Sequence, residues 1–145
     1  MSLALDDQLC FPLYAASRAM QQRYRPLLDA LGLTYPQYLV MLVLWEGDGL
    51  SVNALGARLH LDSGTLTPML KRMEKQGLVA RNRSEEDGRV VHVHLTEEGD
   101  ALSAQAESVP LQLLSCLGPA SPEQVASLKQ TLDDLLAILQ RDPSA

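Results

Sequence analysis

Apolar residues return at every third or fourth position near the start of the chain. The positions are Leu9, Leu13, Ala16, Met20, Tyr24, Leu27 and Leu31. This spacing is that of one face of an α-helix, which we expect to begin at Asp6-Asp7 and to end at Gly32. The next apolar stretch, from Tyr38 to Trp45, is far too short to cross a bilayer.

Further helix starts are marked by a capping side chain that stands ahead of apolar residues at helical spacing. The capping residues are Thr34, Ser51, Asp62, Thr96 and Ser121, and the helices are expected to extend to Glu46, Arg58, about Gln76, about Leu117 and through Leu139. Gly77 and Gly118 are stop signals. Because proline has no N–H to donate, we expect the long helix after Thr96 to bend at Pro110.

Between Gly77 and Thr96 the apolar period changes from that of a helix to two. Leu78–Arg81 is a predicted strand, and a second strand alternates Val91, Val93 and Leu95 with histidines. Asp87-Gly88 is the predicted turn between them. The sequence thus predicts a mainly α fold with a small β-hairpin, in which a helix-turn-helix is followed by a two-stranded wing.

The apolar pattern also predicts how the chain is organised. We expect a single domain over residues 1–145, with the winged helix-turn-helix region at 34–95. The outer helices, at 6–32 and 97–141, exceed what a small winged domain needs to close its core. Apolar stripes left over on such helices usually pack against a second copy of the chain, so we expect a homodimer.

The charge of the chain is distributed unevenly. The formal net charge is −6, which by itself argues against a nucleic-acid partner. Residues 51–95, however, hold seven basic and five acidic side chains, whereas the remainder holds five basic and thirteen acidic ones. A mildly cationic middle within an acidic frame is compatible with a DNA-facing module.

The second helix of the helix-turn-helix has two distinct faces. Its apolar stripe is Leu66, Met69, Leu70 and Met73, and the outward face holds Ser63, Thr65, Thr67, Lys71 and Arg72. Short hydroxyls at a helix N-terminus let the backbone approach phosphates and base edges, and the two cations can reach phosphates or guanine. The alternative is an ordinary solvated helix face. The hairpin that follows favours DNA binding.

The predicted wing tip, Glu85-Glu86-Asp87-Gly88-Arg89, places acids beside a presumed DNA contact. We expect Asp87 to hold Arg89 or Arg81 in a fixed pose, so that Arg89 enters the minor groove already oriented. The alternative is a polar hairpin that makes no contact with DNA.

The two cysteines, Cys10 and Cys116, stand in different contexts. Cys10 is expected in the first turns of the first helix, where the positive end of the helix dipole favours a thiolate, although Asp6 and Asp7 oppose it. The phenols of Tyr24 and Tyr35 could hydrogen-bond such a thiolate. A lone buried cysteine is otherwise a small hydrophobic residue, and spacing alone leaves both readings open.

No cofactor or metal is expected. His60, His92 and His94 are not accompanied by a cysteine or carboxylate cluster at zinc-ligand spacing, so solvated histidines are the better interpretation. The sequence contains no nucleophile elbow. The N-terminus has no basic region typical of an export signal, which favours a cytoplasmic protein without a membrane partner.

The chain resembles winged-helix regulators of the MarR family, and within that family the organic hydroperoxide resistance regulators. The resemblance extends from residue 6 to about 140 and is most specific in four segments, 9–14, 24–28, 33–41 and 61–68. The wing sequence Asp87-Gly88-Arg89 also matches the Asp-x-Arg pattern of the family.

The resemblance implies a repressor that binds an inverted-repeat promoter as a reduced homodimer and releases it when organic hydroperoxide oxidises Cys10. It implies that Tyr24 and Tyr35 contact the Cys10 sulfur across the dimer. It also implies the two-cysteine type, in which Cys10 forms an intersubunit disulfide with Cys116. Two alternatives stay open, namely a MarR-type regulator switched by a bound phenolic ligand and a thiol peroxidase.

Overall fold

The computed structural model describes residues 2–141 as a largely helical chain with one small sheet. The other residues of the predicted domain, Met1 and 142–145, lie outside the described part. After a 3-10 turn at Leu5–Asp7, the elements are α1 Cys10–Asp29, α2 Tyr35–Glu46, β1 Leu50–Ser51, α3 Val52–Leu59, α4 Ser63–Lys75, β2 Val79–Arg83, β3 Val91–Leu95, α5 Glu97–Ala106, α6 Val109–Ser115 and α7 Pro122–Leu139.

The five caps that were predicted after the first helix are all confirmed. The side chains of Thr34, Ser51, Asp62, Thr96 and Ser121 each accept a hydrogen bond from the backbone N–H three residues on. At Thr34 and Ser121 the capping box is complete, because the glutamine at the third helical position also accepts from the N-cap N–H. These boundaries are local, and the residues that set them are readable in the sequence.

The predicted start of the first helix was wrong. Asp6 and Asp7 lie in the short 3-10 turn, Gln8 is extended, and α1 begins at Cys10. The physical reason is Pro12, whose missing N–H needs no partner in the first turn of a helix but would break a hydrogen bond in the second turn of one that began at Asp6. Cys10 is therefore the first residue of α1.

The prediction of one long helix bent at Pro110 was also wrong. The chain instead forms α5 and α6, with a break at Glu107-Ser108. Pro110 cannot donate to the carbonyl of Ala106, which is the last residue of α5. The proline thus ends one helix and stands in the first turn of the next.

The wing is larger than the predicted hairpin. β2 and β3 pair antiparallel, with Val79 opposite Leu95 and Arg83 opposite Val91. The two-residue strand β1 pairs with the other edge of β3, so the sheet has the order β1-β3-β2. The fold class is therefore mainly helical with a three-stranded antiparallel wing sheet, and the pairing of Leu50 was missed because two residues show no period.

The turn between α3 and α4 depends on a close backbone approach. Gly56 lies in α3, and a Cβ on it would lie 2.5 Å from the carbonyl oxygen of Leu61. His60, the C-cap of α3, adopts a left-handed conformation with φ 55°. This tight connection fixes the direction in which α4 leaves α3.

The chain divides into two compact units, Met1–Leu111 and Gln112–Ala145. The core of the first unit is built from α1 to α5, the sheet and Val109 at the start of α6. Its fully buried side chains include Tyr38, Met41, Leu55, Leu66, Leu70, Met73 and Val93. The second unit contains α7, on which Leu128, Leu132, Leu136, Ile138 and Leu139 are exposed. Among the described helices, none has the length and apolar character needed to cross a membrane.

Candidate nucleic-acid interface and redox site

The N-terminus of α4 is held by its own cap. The Asp62 carboxylate accepts the backbone N–H of Thr65 at 2.7 Å. Hydrogen bonds from the backbone and the side chain of Thr65 lower the pKa of Asp62 below its ordinary value. The carboxylate therefore stays ionised at neutral pH and keeps the first turn of α4 in place.

The two predicted faces of α4 are confirmed as a buried face and an outward face. Leu66, Met69, Leu70 and Met73 are all buried. On the other face Ser63, Thr65, Lys71 and Arg72 are exposed and Thr67 is half-buried. The outward face presents short hydroxyls at the start of the helix and two cations along it. An arrangement of this kind can approach a phosphate backbone closely.

A groove of about 200 Å³ joins the start of α4 to the wing. Ser63 and Thr67 line it from α4, Arg89 lines it from the wing, and Asn53 lines it from the first turn of α3. Asn53 was not among the predicted site residues. The signal available was its place just after the Ser51 cap, where a side chain on α3 can reach the start of α4.

The wing tip contains an oriented arginine. The Asp87 carboxylate accepts the backbone N–H of Arg89 at 3.0 Å and its Nε–H at 3.2 Å. The Arg89 side chain is nevertheless 92% exposed. Of the two arginines that Asp87 was expected to hold, the structure pairs it with Arg89. The guanidinium keeps its outer N–H groups available while its direction is constrained at Nε.

Arg81 is held by a different carboxylate. Glu74, near the end of α4, accepts the backbone N–H of Arg81 at 3.1 Å and its Nε–H at 3.4 Å. The Arg81 side chain is only 22% exposed. This pair connects α4 to β2. It was not predicted, because the sequence around Glu74 is that of an ordinary solvated charge on a helix.

Cys10 and Cys116 are both free and exposed. Cys10 opens α1 at its N-terminal end. Cys116 follows α6 in the second unit, and its sulfur lies 3.4 Å from the carbonyl oxygen of Gln112. Within residues 2–141 of this single chain, no hydrogen bond joins Cys10 to Tyr24 or Tyr35.

Three tyrosines form a cluster at the junction of α1 and α2, which we name the tyrosine cluster. The ring centroids of Tyr24 and Tyr35 are 4.9 Å apart, and Tyr38 lies 5.7 Å from Tyr24 and 6.5 Å from Tyr35. Tyr24 and Tyr35 were predicted to act together, whereas Tyr38 was predicted only as an apolar residue of its helix. The three rings meet because α2 turns back along α1.

Burial raises the pKa of each phenol in the tyrosine cluster. The pKa of Tyr24 is raised to about 12, mainly by desolvation and to a smaller extent by the neighbouring Tyr35 and Tyr38. Burial also raises the pKa of Tyr35 and of Tyr38. A phenol with the ordinary pKa of 10.0 is already protonated at neutral pH, and the raised values keep these three protonated to higher pH. Their hydroxyls can donate hydrogen bonds to an anion such as a thiolate.

His92 and His94 lie on β3, and His60 is the C-cap of α3. His92 Nδ1 is 3.3 Å from the carbonyl oxygen of Gly49, and Gly49 also lies beside the ring of His94. In the part of the chain that the structure describes, no group of three histidine, cysteine or carboxylate side chains is arranged to hold a metal ion.

The chain matches a family of transcriptional regulators and one of its relatives. The family model described as transcriptional regulator SarA/Rot matches residues 22–105. The chain is 52% identical over 139 residues to the organic hydroperoxide resistance transcriptional regulator of Bacillus subtilis strain 168, and the match covers 96% of this chain and 94% of that one.

The chain is also similar in fold and sequence to solved structures of AbfR and MarR. AbfR of Staphylococcus epidermidis, in its reduced form bound to DNA, matches with a TM-score of 0.79 at 40% identity over 94% of this chain and 92% of that one. AbfR in its disulfide form matches with a TM-score of 0.65 at 42% identity over 91% and 92%. A mutant MarR of E. coli with operator DNA matches with a TM-score of 0.80 at 26% identity over 88% and 93%.

Proposed function

Because this chain belongs to the MarR/SarA family of winged-helix transcriptional regulators, we propose that it is a peroxide-sensing repressor. Membership in that family makes it a transcriptional regulator and not an enzyme. In the proposed cycle the reduced homodimer binds an inverted repeat in promoter DNA. Organic hydroperoxide oxidises Cys10, and the dimer releases the DNA. With promoter DNA as its partner, the proposed repressor acts in the cytoplasm.

The DNA-binding half of the proposal is supported by the groove between α4 and the wing. Ser63 and Thr67 stand at the start of α4, Arg89 is oriented by Asp87, and Asn53 faces the same groove. We propose that the start of α4 enters the major groove with Thr65, Lys71 and Arg72 on its outward face. Arg89 then reaches the adjacent minor groove.

The redox half is carried by one observation: an exposed thiol opens α1 of a chain that is 52% identical to an organic hydroperoxide resistance regulator. The reduced form of the relative AbfR has been seen on DNA, and AbfR has also been seen in a disulfide form. We propose that Cys10 and Cys116 form the disulfide of this chain. Tyr24 and Tyr35 would donate hydrogen bonds to the Cys10 thiolate of the partner protomer.

The proposed chemistry needs only the hydroperoxide as oxidant. The thiolate of Cys10 attacks the outer oxygen of ROOH, the O–O bond breaks, and the alcohol ROH leaves after taking up a proton. Sulfur loses two electrons and becomes a sulfenic acid. The thiol of Cys116 then attacks that sulfur, the S–S bond forms, and water leaves.

The dimer in this proposal is supported by the exposed apolar side chains of the terminal segments. Leu9, Phe11 and Tyr14 are exposed around the start of α1. The five exposed apolar side chains of α7 form another such surface. Two recognition helices must lie about 34 Å apart to enter successive major grooves, so a change in the dimer frame is enough to end simultaneous binding.

The test is the Cys10→Ser variant. We expect it to bind DNA as tightly as wild type, because a serine hydroxyl replaces an exposed thiol, and to stay bound in the presence of cumene hydroperoxide. Binding is measured by fluorescence anisotropy with an inverted repeat selected from a random library by the reduced wild-type protein. Release of the Cys10→Ser variant at the wild-type peroxide concentration would contradict the sensor role.

A ligand-switched regulator is the second candidate, and a cleft favours it. Between α1 and α2 lies a cleft of about 450 Å³, lined by Arg18, Arg25 and Tyr35 among others. Two cations and a phenol can bind a small aromatic acid. A phenolic acid that releases DNA from both the wild type and Cys10→Ser would support this function in place of the redox switch.

A further inference from the structure

Two glutamine side chains connect the turn between α1 and α2 to the end of α4. Gln37 is the third residue of α2, and its Oε1 accepts the N–H of Thr34 at 3.1 Å. Its Nε2 donates to Oε1 of Gln76 at 3.3 Å. Gln76 Nε2 in turn donates to the carbonyl oxygen of Gly32 at 3.2 Å. We name the contact between Gln37 and Gln76 the amide bridge.

Both ends of the amide bridge are anchored. Gln37 is only 6% exposed and is the polar side chain that the core of the described residues encloses. A buried amide that lacks a hydrogen-bond partner is destabilising, which favours the single arrangement that satisfies it. Gln76 is the C-cap of α4, and its backbone N–H donates to the carbonyl of Arg72. Movement of α4 against the turn therefore breaks hydrogen bonds.

The same turn carries a member of the tyrosine cluster. Tyr35 is the first residue of α2, between Thr34 and Gln37 of the capping box. Its ring is 4.9 Å from that of Tyr24. A backbone displacement of Tyr35 thus moves the residues that hold one end of the amide bridge, and Gln76 lies one helix length from the outward residues at the start of α4.

We propose that the amide bridge positions α4 against the α1–α2 turn and transmits a displacement of Tyr35 to the DNA-binding face. The proposal rests on the proposed function, in which Tyr35 meets the sulfur of Cys10 and α4 meets DNA. In this proposal α4 can take two positions. It is held in the first while the amide bridge is intact, and it can shift to the second once the bridge is broken. Gln37 and Gln76 are positioning residues in this account, because neither touches DNA or the oxidant.

The first experiment uses Gln76→Met, an apolar side chain of similar length that removes the bridge without changing the charge. The matched control is Gln105→Met on α5, where the glutamine is also exposed. We measure the dissociation constant for the selected inverted repeat before and after treatment with cumene hydroperoxide. A thermal melt of each variant verifies that it is folded.

We expect Gln76→Met to bind DNA about threefold to tenfold more weakly than wild type when reduced. The ratio of oxidised to reduced dissociation constants should also fall at least about threefold, because α4 no longer follows the turn. Gln105→Met should match wild type in both quantities. A folded Gln76→Met protein that retains the wild-type ratio would overturn the proposal.

A second experiment tests the bridge without any oxidant. Tyr35→Leu and Gln76→Met are combined, and DNA affinity is measured for the reduced single and double variants. If the bridge transmits displacement, the loss in the double variant is smaller than the product of the two single losses, since either change already disconnects the turn from α4. Losses that simply multiply overturn the proposal.

The two experiments separate failure of the bridge from failure of the proposed function. A wild-type protein that keeps its DNA after oxidation contradicts the redox function, while the cycle between Tyr35 and Gln76 still decides the bridge. A wild-type protein that releases DNA, together with multiplicative losses in the cycle, contradicts the bridge alone.

Discussion

Arg89 stands almost entirely in solvent at the tip of the wing, yet its direction is constrained. Asp87 accepts two of its N–H groups, one from the backbone and one from the guanidinium. An exposed ion pair of this kind contributes little to stability. Its effect under the proposed function is to reduce the number of side-chain conformations that the arginine must give up on binding DNA.

The first prediction at this scale concerns Arg89. We expect Arg89→Ala to weaken DNA binding about tenfold and to reduce the slope of log affinity against log salt by about one, because one cation–phosphate or groove contact is lost. The control is Lys129→Ala on α7, which removes the same charge outside the proposed interface. Anisotropy titrations at several salt concentrations measure both values, and an unchanged slope would remove the wing from the interface.

The second prediction at this scale concerns the pH dependence of stability. The pKa of Tyr24 is about 12 in the folded chain against 10.0 for a free tyrosine. At a pH between these two pKa values, Tyr24 has lost its phenol proton in the unfolded chain but keeps it in the folded chain. The free energy of unfolding therefore falls as pH rises from about 10 to about 12.

Urea unfolding at pH 9 and at pH 11 measures this dependence. We expect the loss of stability between the two pH values to be smaller in Tyr24→Phe, which has no phenol to ionise at that position. Tyr14→Phe is the control, since Tyr14 is exposed. An equal pH dependence in Tyr24→Phe and wild type would show that Tyr24 is not desolvated.

At the scale of elements, the position of α4 is set by contacts at both of its ends. The cap at Asp62 and the tight turn after α3 fix its start. Glu74 connects its last turn to β2, and Gln76 connects its C-cap to the α1–α2 turn. Glu74 therefore keeps the sheet in a fixed position relative to α4, and Gln76 does the same for the α1–α2 turn.

The prediction at this scale concerns Glu74. If Glu74 acted only through its charge, Glu74→Ala would strengthen DNA binding, since it removes a negative charge near the phosphates. We expect the opposite, a weakening of about fivefold, because the backbone and side-chain N–H groups of Arg81 in β2 lose the carboxylate that connects them to α4. Glu74→Gln, which keeps an acceptor oxygen, should fall between wild type and Glu74→Ala.

Glu86→Ala is the charge-matched control for Glu74. Glu86 is exposed at the wing tip, so its removal measures the electrostatic effect alone, and we expect equal or tighter binding. Anisotropy measures all the variants on the same DNA. A Glu74→Ala protein that binds more tightly than wild type would exclude a positioning role.

At the scale of the whole molecule, the proposed function requires a second copy of the chain. Large apolar side chains are exposed around the start of α1 and along α7, in the two segments that the sequence predicted to form a dimer. Apolar stripes of this extent are typical of subunit interfaces. The proposed disulfide then joins a thiol from one protomer to a thiol from its partner.

The prediction at this scale concerns the proposed disulfide between the two protomers. After treatment with cumene hydroperoxide, wild-type protein should migrate as a dimer on a non-reducing gel, and dithiothreitol should return it to a monomer. Cys10→Ser and Cys116→Ser should each remain monomeric, because each lacks one of the two sulfurs. Wild-type protein that is oxidised by mass but monomeric on the gel would contradict an intersubunit disulfide.

The sequence by itself determined the local boundaries and the faces of the helices. The caps at Thr34, Ser51, Asp62, Thr96 and Ser121 are all present, and the buried stripe of α4 is the one that the spacing predicted. These features depend on residues within one or two turns of each other. Pro12 and Pro110 are local features too. Because neither has an N–H to donate, they set the start of α1 and the break before α6, which the apolar spacing alone did not predict.

The tertiary structure decided which distant side chains meet. Tyr38 joins Tyr24 only when α2 folds back on α1, and Leu50 becomes a strand only because β3 offers it a free edge. Glu74 meets Arg81, and Gln37 meets Gln76 across thirty-nine positions of sequence. Contacts of this range have no period and no motif, because the packing of whole elements, rather than the preference of any residue, brings their partners within hydrogen-bond distance.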